Sequence, residues 1–176
     1  MRRVTLILLG IALAAVATTG AGIGGPGGAA GTAAEGFTAT IGGVNVEVTL
    51  PSTDWSKGTV SANNFIINGP SGTSVTVNTL GAAKGLGKND MDALCQEKLA
   101  EKAGAATTGT KVTVTKNSAG VTYALRMYES GGQVYFVGVS GTASCGVMFY
   151  AKVPAAQKNA VKNALKSIMN ELALSK

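Results

Sequence analysis

Apolar and polar residues begin to alternate abruptly at Phe37. The runs Phe37-Thr-Ala-Thr-Ile41 and Val44-Asn-Val-Glu-Val-Thr-Leu50 repeat with period two, which predicts strands buried on one face. Between them Gly42-Gly43 predicts a two-residue hairpin turn. Pro51 stops the second strand, and Trp55 follows four residues later. Phe65-Ile-Ile67 and Ser74-Val-Thr-Val-Asn78 flank Gly69-Pro70-Ser71-Gly72, a turn signal between two more antiparallel strands. Further along, Val112 with Val114, Val121 to Met127, Val134 to Val139 and Cys145 to Val153 are strand candidates. Only Asn117-Ser-Ala-Gly120, Ser130-Gly-Gly132 and Gly141-Thr-Ala separate them. Connections this short predict a largely antiparallel sheet.

Two segments have helical rather than alternating spacing. Asn89 is placed to cap a helix from Asp90 to about Ala103, with Asp90 and Asp92 favourable at its positive end and Gly104 ending it. Its apolar stripe is Met91, Leu94, Cys95 and Leu99. Pro154 suits the first turn of a final helix whose face is Val161, Leu165, Ile168, Met169 and Leu172. Lys158, Lys162 and Lys166 recur every four residues along its flank. They form either a solvated edge or a basic surface for a membrane or an anionic polymer.

Before Phe37 the pattern is of another kind. Met1-Arg2-Arg3, the apolar run Val4 to Val16 and the small-x-small Ala15-Val16-Ala17 read as a cleaved signal peptide over residues 1–17. About 13 apolar residues are too few to span a ~30 Å hydrocarbon layer as a helix. Residues 18–36 are nearly all Gly, Ala and Thr and read as a flexible leader, because they bury too little apolar surface to offset their ordering entropy. The remaining residues, 37–176, are expected to form one α+β domain, periplasmic or secreted, with no stable membrane insertion once the signal is removed.

Composition narrows the chemistry. The chain has no histidine, so it lacks the usual neutral-pH base and the commonest transition-metal ligand. Loss of Arg2 and Arg3 with the signal brings the formal charge from +6 to about +4, and the lysines are spread thinly, which argues against nucleic acid. Gly81-Ala-Ala-Lys-Gly-Leu-Gly-Lys88 has the wrong glycine spacing for a phosphate loop, with Asn89 where a magnesium-binding hydroxyl belongs. Asp90 and Asp92 are the only close acidic pair, too few for calcium. Asp54, Glu47 and Glu129 are candidate members of a glycosidase pair, but their spacing favours none of them. No serine stands three residues before a lysine, which leaves Ser-Lys catalysis without support. No metal or cofactor is expected.

Cys95 lies on the apolar stripe of the middle helix, and Cys145 is in phase with Val147, Phe149, Ala151 and Val153. Outside the cytoplasm the simplest reading is a disulfide pinning helix to sheet, contributing roughly 4 kcal/mol for a loop of about 50 residues. Two free buried thiols, or a redox pair without the usual close spacing, are the alternatives.

The motifs Val46-Glu-Val-Thr-Leu-Pro51 with Trp55, and Phe149-Tyr-Ala-Lys-Val-Pro154 leading into the last helix, resemble the PsbP-like superfamily. That group includes the photosystem oxygen-evolving subunit and the Ran-binding Mog proteins. The likeness extends from Phe37 to Leu174. It implies an α/β/α sandwich around an antiparallel sheet of about six or seven strands, acting as a non-catalytic binding or assembly module. Many bacterial relatives are lipoproteins, whereas this chain has no lipidation cysteine. The expected role is therefore an accessory module engaging a protein or polymer of the cell envelope. An envelope hydrolase with a carboxylate site and a small-ligand carrier are the alternatives.

Overall fold

Gly42 and Gly43 both adopt positive φ, 53° and 74°, as a tight hairpin turn between right-twisted strands requires. They join β1 (Gly36–Ile41) to β2 (Val44–Thr49), with Phe37 opposite Val48 and Ile41 opposite Val44. This computed structural model describes residues 35–104 and 107–176. The expected signal segment, and the expected leader up to residue 34, lie outside the described residues.

The hairpin does not extend the main sheet. Its second strand pairs instead with β10 (Ala173–Ser175), giving a three-stranded sheet of order β1-β2-β10. The large sheet contains β3 (Ser56–Val60), β4 (Asn64–Asn68), β5 (Ser74–Thr79), β6 (Thr110–Lys116), β7 (Thr122–Ser130), β8 (Gln133–Gly141) and β9 (Gly146–Pro154). Its order is β3-β4-β5-β9-β8-β7-β6, antiparallel throughout. Strands β3 and β10 have no apolar alternation to announce them. The first is an edge strand with a register shift between Lys57 and Val60, and irregular, polar edges of this kind resist further pairing.

Alternating side chains divide the large sheet into two cores. On one side Phe65, Val77, Phe136, Phe149 and Val153 pack against the small sheet and helix α2 (Lys158–Glu171), which contributes Val161, Leu165, Ile168 and Met169. On the other side Ala124, Val137, Val139 and Met148 pack against Met91, Leu94, Cys95 and Leu99 of helix α1 (Lys88–Ala103). The result is the expected α+β sandwich with a helix on each side of an antiparallel sheet, plus a second small sheet.

The two-sided arrangement corrects the expected disulfide. Cys95 and Cys145 are both free and buried, Cys95 in the α1 core and Cys145 in the α2 core. The sequence pattern shows that each cysteine points inward, but the sheet creates two interiors and stands between them. The start of α1 also differs from expectation. Gly87, extended at φ −73° and ψ 175°, occupies the cap position without any side-chain cap, and Asn89 already lies inside the helix. At the second helix, Pro154 ends β9, and a 3-10 turn over Ala155–Gln157 precedes α2.

Two glycines at one end of β8 and β9 let a chain segment lie directly on the sheet. Gly141 and Gly146 face each other in register, and the turn Gly81–Ala83 packs over them. Leu80 N–H donates to Gly146 O at 2.7 Å and Gly85 N–H to Thr142 O at 2.7 Å. A Cβ on Gly146 would strike Ala83 Cβ and reach within 2.5 Å of Leu80 O. Backbone cannot yield as a side chain can, so Gly146→Ala is expected to cost about 3 kcal/mol, the upper end for overpacking. Urea denaturation checks this, and a change below 1 kcal/mol would mean that residues 80–85 are not seated on the sheet.

Candidate functional site

Helix α1 lies over β6, β7 and β8. The same side of β4, β5 and the outer part of β9 is covered, among the described residues, by neither helix. Antiparallel register fixes what this open side displays. Thr76 on β5, Tyr150 on β9 and Val137 on β8 form one cross-strand row. Lys152, Tyr135 and Tyr128 form the next, on β9, β8 and β7. Asn64, Ile66, Asn68, Ser74 and Asn78 project from β4 and β5 on the same side, because their neighbours Phe65, Ile67, Val75 and Val77 are buried in the opposite core.

Three of the four tyrosines thus share one side of the sheet. All three are half-buried. The rings of Tyr128 and Tyr135 lie 6.4 Å apart at 42°. Lys152 Nζ lies 5.1 Å from the Tyr135 centroid, and Lys102 Nζ, from the last turn of α1, lies 5.4 Å from that of Tyr150. Both distances are within cation–π range. Burial raises the Tyr150 phenol above its ordinary value, with Lys152 opposing the shift, so the hydroxyl stays protonated at neutral pH. Tyr123 differs in being buried on the α2 side, where its hydroxyl donates to Asn170 Oδ1 at 3.4 Å.

The seven strands of the large sheet contain one carboxylate, Glu129. It lies on the α2 side, paired with Lys158 Nζ at 2.7 Å. The tyrosine-bearing side therefore has no acidic side chain from the sheet.

At its covered end, this side is locked to α1 by an ion-pair network that sequence reasoning missed. Arg126 on β7 donates Nε to Asp92 Oδ1 at 2.8 Å and Nη2 to Oδ2 at 3.0 Å. Its Nη1 donates to Gly109 O at 2.7 Å and Gln96 Oε1 at 3.1 Å. Lys111 also pairs with Asp92. Only 15% of the Arg126 side chain and 13% of the Asp92 side chain remain exposed, so the pair is largely shielded while Lys111 reaches it from the surface. Burial by itself raises the Asp92 carboxyl, but the hydrogen bonds and charges of Arg126 and Lys111 outweigh it and bring the pKa below the ordinary value. The one available signal was Arg126 itself, the single arginine after residue 3, set in an otherwise apolar strand.

The residues singled out by sequence do not assemble into a site. Lys158 is engaged by Glu129, Lys162 Nζ donates to Asn159 Oδ1 at 3.1 Å, and Lys166 is exposed. The expected basic strip is thus partly consumed by local pairing. Asp54 lies in the turn after β2, Glu47 on the outer face of the small sheet and Glu129 at the far end of β7. Among the described residues, five surface concavities of about 280 to 400 Å³ are lined by none of the three tyrosines and by no two of these carboxylates. Cys95 donates its thiol to Val137 O at 3.1 Å, and burial pushes its pKa up to about 12, which leaves it an inert packed thiol. Cys145 borders a concavity of about 280 Å³ with Lys84, Ser144 and Lys176. Among the described residues there is no cluster of three metal-ligating side chains, and no helix is long and apolar enough to cross a membrane.

No family model matches the chain, and no curated protein matches it. Among solved structures it is similar to LpqN, involved in cell envelope biogenesis of Mycobacterium tuberculosis, with 8% identity and a TM-score of 0.46 over 81% of this chain and 91% of that one. A protein of Bacteroides thetaiotaomicron is similar at 12% identity and a TM-score of 0.43, over 74% of this chain and 45% of that one.

Proposed function

We propose that this chain is a non-catalytic binding module of the cell envelope or extracellular space, and that it holds its partner on the tyrosine-bearing side of the large sheet. The observation that carries this reading is the half-covered sheet. A face that displays three half-buried rings and two lysines, with no acidic side chain from the sheet, is built for contact. Tyrosine offers large rigid area at low entropy cost and is enriched where proteins bind. The location rests on the exported pattern of residues 1–17. The PsbP-like reading is supported by the order of elements, with a hairpin leading and a helix shortly after Pro154 packing on an antiparallel sheet.

The test places a photo-crosslinking residue at Ser74, exposed on the tyrosine side, or at Thr40, exposed on the outer face of the small sheet. Irradiation of cells producing each variant is expected to trap envelope material from Ser74 and not from Thr40. Equal trapping from both, or trapping from Thr40 alone, would place the contact surface elsewhere.

A further inference from the structure

Resting on that reading, we infer that the ligand is an anionic polysaccharide. Tyr128, Tyr135 and Tyr150 serve as stacking platforms, Lys102 and Lys152 as countercharges, and the amides and hydroxyls of β4 and β5 as hydrogen-bonding partners.

Charge gives the first argument. On the open side both free cations stand beside rings, at 5.1 and 5.4 Å, and the strands supply no carboxylate to neutralise them. The nearby acidic residues of α1, Glu97 and Glu101, share the one ammonium of Lys98, so with Lys102 and Lys152 counted the surroundings keep one net positive charge. A negatively charged ligand finds complementary potential here, and an electropositive one does not.

Composition gives the second. The core of a protein–protein interface is rich in aromatic residues, Met and Arg and poor in Lys and Ser. This side pairs its tyrosines with Asn64, Asn68, Ser74, Thr76, Asn78, Lys102 and Lys152, and Ile66 is the only half-exposed aliphatic side chain on β4 and β5. Amides and hydroxyls in such number match a ligand covered in hydroxyls better than they match an apolar anchor.

Shape gives the third. The three tyrosines stand on a sheet face and line none of the five concavities, which suits an extended ligand better than a small molecule. From β4 to β7 this face crosses five strands, roughly 19 Å at about 4.8 Å per step. A strip of that length accommodates several sugar residues, each laying its C–H face on a ring while its acidic group meets a lysine.

The experiment uses the purified chain and four probes: polygalacturonate, dextran sulfate, neutral dextran and polyglutamate. Titration calorimetry is expected to show at least one acidic polysaccharide binding tenfold or more tightly than either dextran or polyglutamate. Replacing Tyr135 and Tyr150 together by Ala is expected to weaken that binding at least tenfold. Because both rings pack partly on the α1 core, Ser74→Glu serves as a second variant at an exposed position, and it should do the same by charge repulsion. Lys166→Gln, on α2, should leave binding within twofold. Polyglutamate binding as tightly as the polysaccharides, or affinity indifferent to both the tyrosines and Ser74→Glu, overturns the inference, as does no binding of any probe. Should Ser74 trap a polypeptide whose capture Ser74→Glu abolishes while no polysaccharide binds, the ligand class is wrong but the surface stands. Should Ser74 trap nothing at all, the surface assignment falls with it.

Discussion

Arg126→Ala is expected to lower the unfolding free energy at pH 7 by about 3 kcal/mol, the lower end for breaking a buried ion pair, because Lys111 still reaches Asp92. For a domain of this size that corresponds to a fall in Tm of roughly 10 °C. The substitution removes both Arg126 bonds to Asp92, leaving that carboxylate to Lys111 alone, and takes the Arg126 donor from the Gly109 carbonyl and Gln96 Oε1, so it loosens α1 and β6 from β7 together. The loss has a defined pH dependence. The folded pKa of Asp92 lies below its ordinary value, so the pair's contribution is complete above about pH 5, where the unfolded carboxyl is almost fully ionised. It disappears as pH falls through the folded value. Urea titrations of wild type and Arg126→Ala should therefore differ most at neutral pH, and the gap should narrow as the solution is acidified below about pH 4. A gap that persists unchanged into acid would show that the arginine acts through packing rather than charge. The double replacement Asp92→Leu with Arg126→Met should recover part of the loss, since a well-packed apolar pair avoids the desolvation that the ions bear.

Asn117→Ala should be nearly as damaging, at about 2–4 kcal/mol by the cost of orphaned buried polar groups. This asparagine sits in the β6–β7 turn and is 8% exposed. Its Nδ2 donates to Leu172 O at 2.8 Å and Met169 O at 3.2 Å, and its Oδ1 accepts from Val121 N–H at 3.0 Å. It thus satisfies two of the carbonyls that the end of α2 leaves without helical partners and holds a hairpin closed at the same time. Because α2 leads directly through Leu172 into β10, loss of this cap should also release the edge of the small sheet. Hydrogen exchange should show faster exchange at Leu174 and Ser175 and at Val46 opposite them, with little change in β4 and β5. Uniform acceleration over the whole domain would instead mean that the side chain contributes only global stability.

These residues illustrate what a single sequence reveals and what it conceals. Asp92 was legible as a residue favourable at a helix start, yet its partner is 34 positions away, and no local pattern connects them. Asn117 read as a turn residue, which it is, while its hold on α2 depends on the end of a helix more than 50 residues further along. The tyrosine surface was hidden for the same reason. Tyr128, Tyr135 and Tyr150 stand on three strands, and only the registers of β7, β8 and β9 place them side by side. Lys102 reaches Tyr150 from the last turn of α1, at the margin of the part of the sheet that this helix covers.

Period-two runs in β1, β2, β5 and β9 and the apolar face of α2 were sufficient to determine strands, helices and the antiparallel class, because those features depend on neighbours within a few residues and on the burial of one side. The two glycines of the first hairpin specified their own turn through φ alone. Which interior each buried side chain enters was decided only by the tertiary structure. A strand has two faces, and alternation shows that one is buried without showing what covers it. Cys95 and Cys145 were both correctly read as inward-facing, yet they occupy separate cores because α1 and α2 pack on opposite sides of the sheet. Among the described residues α1 is also too narrow to cover its side, and the three tyrosines stay half-buried rather than enclosed.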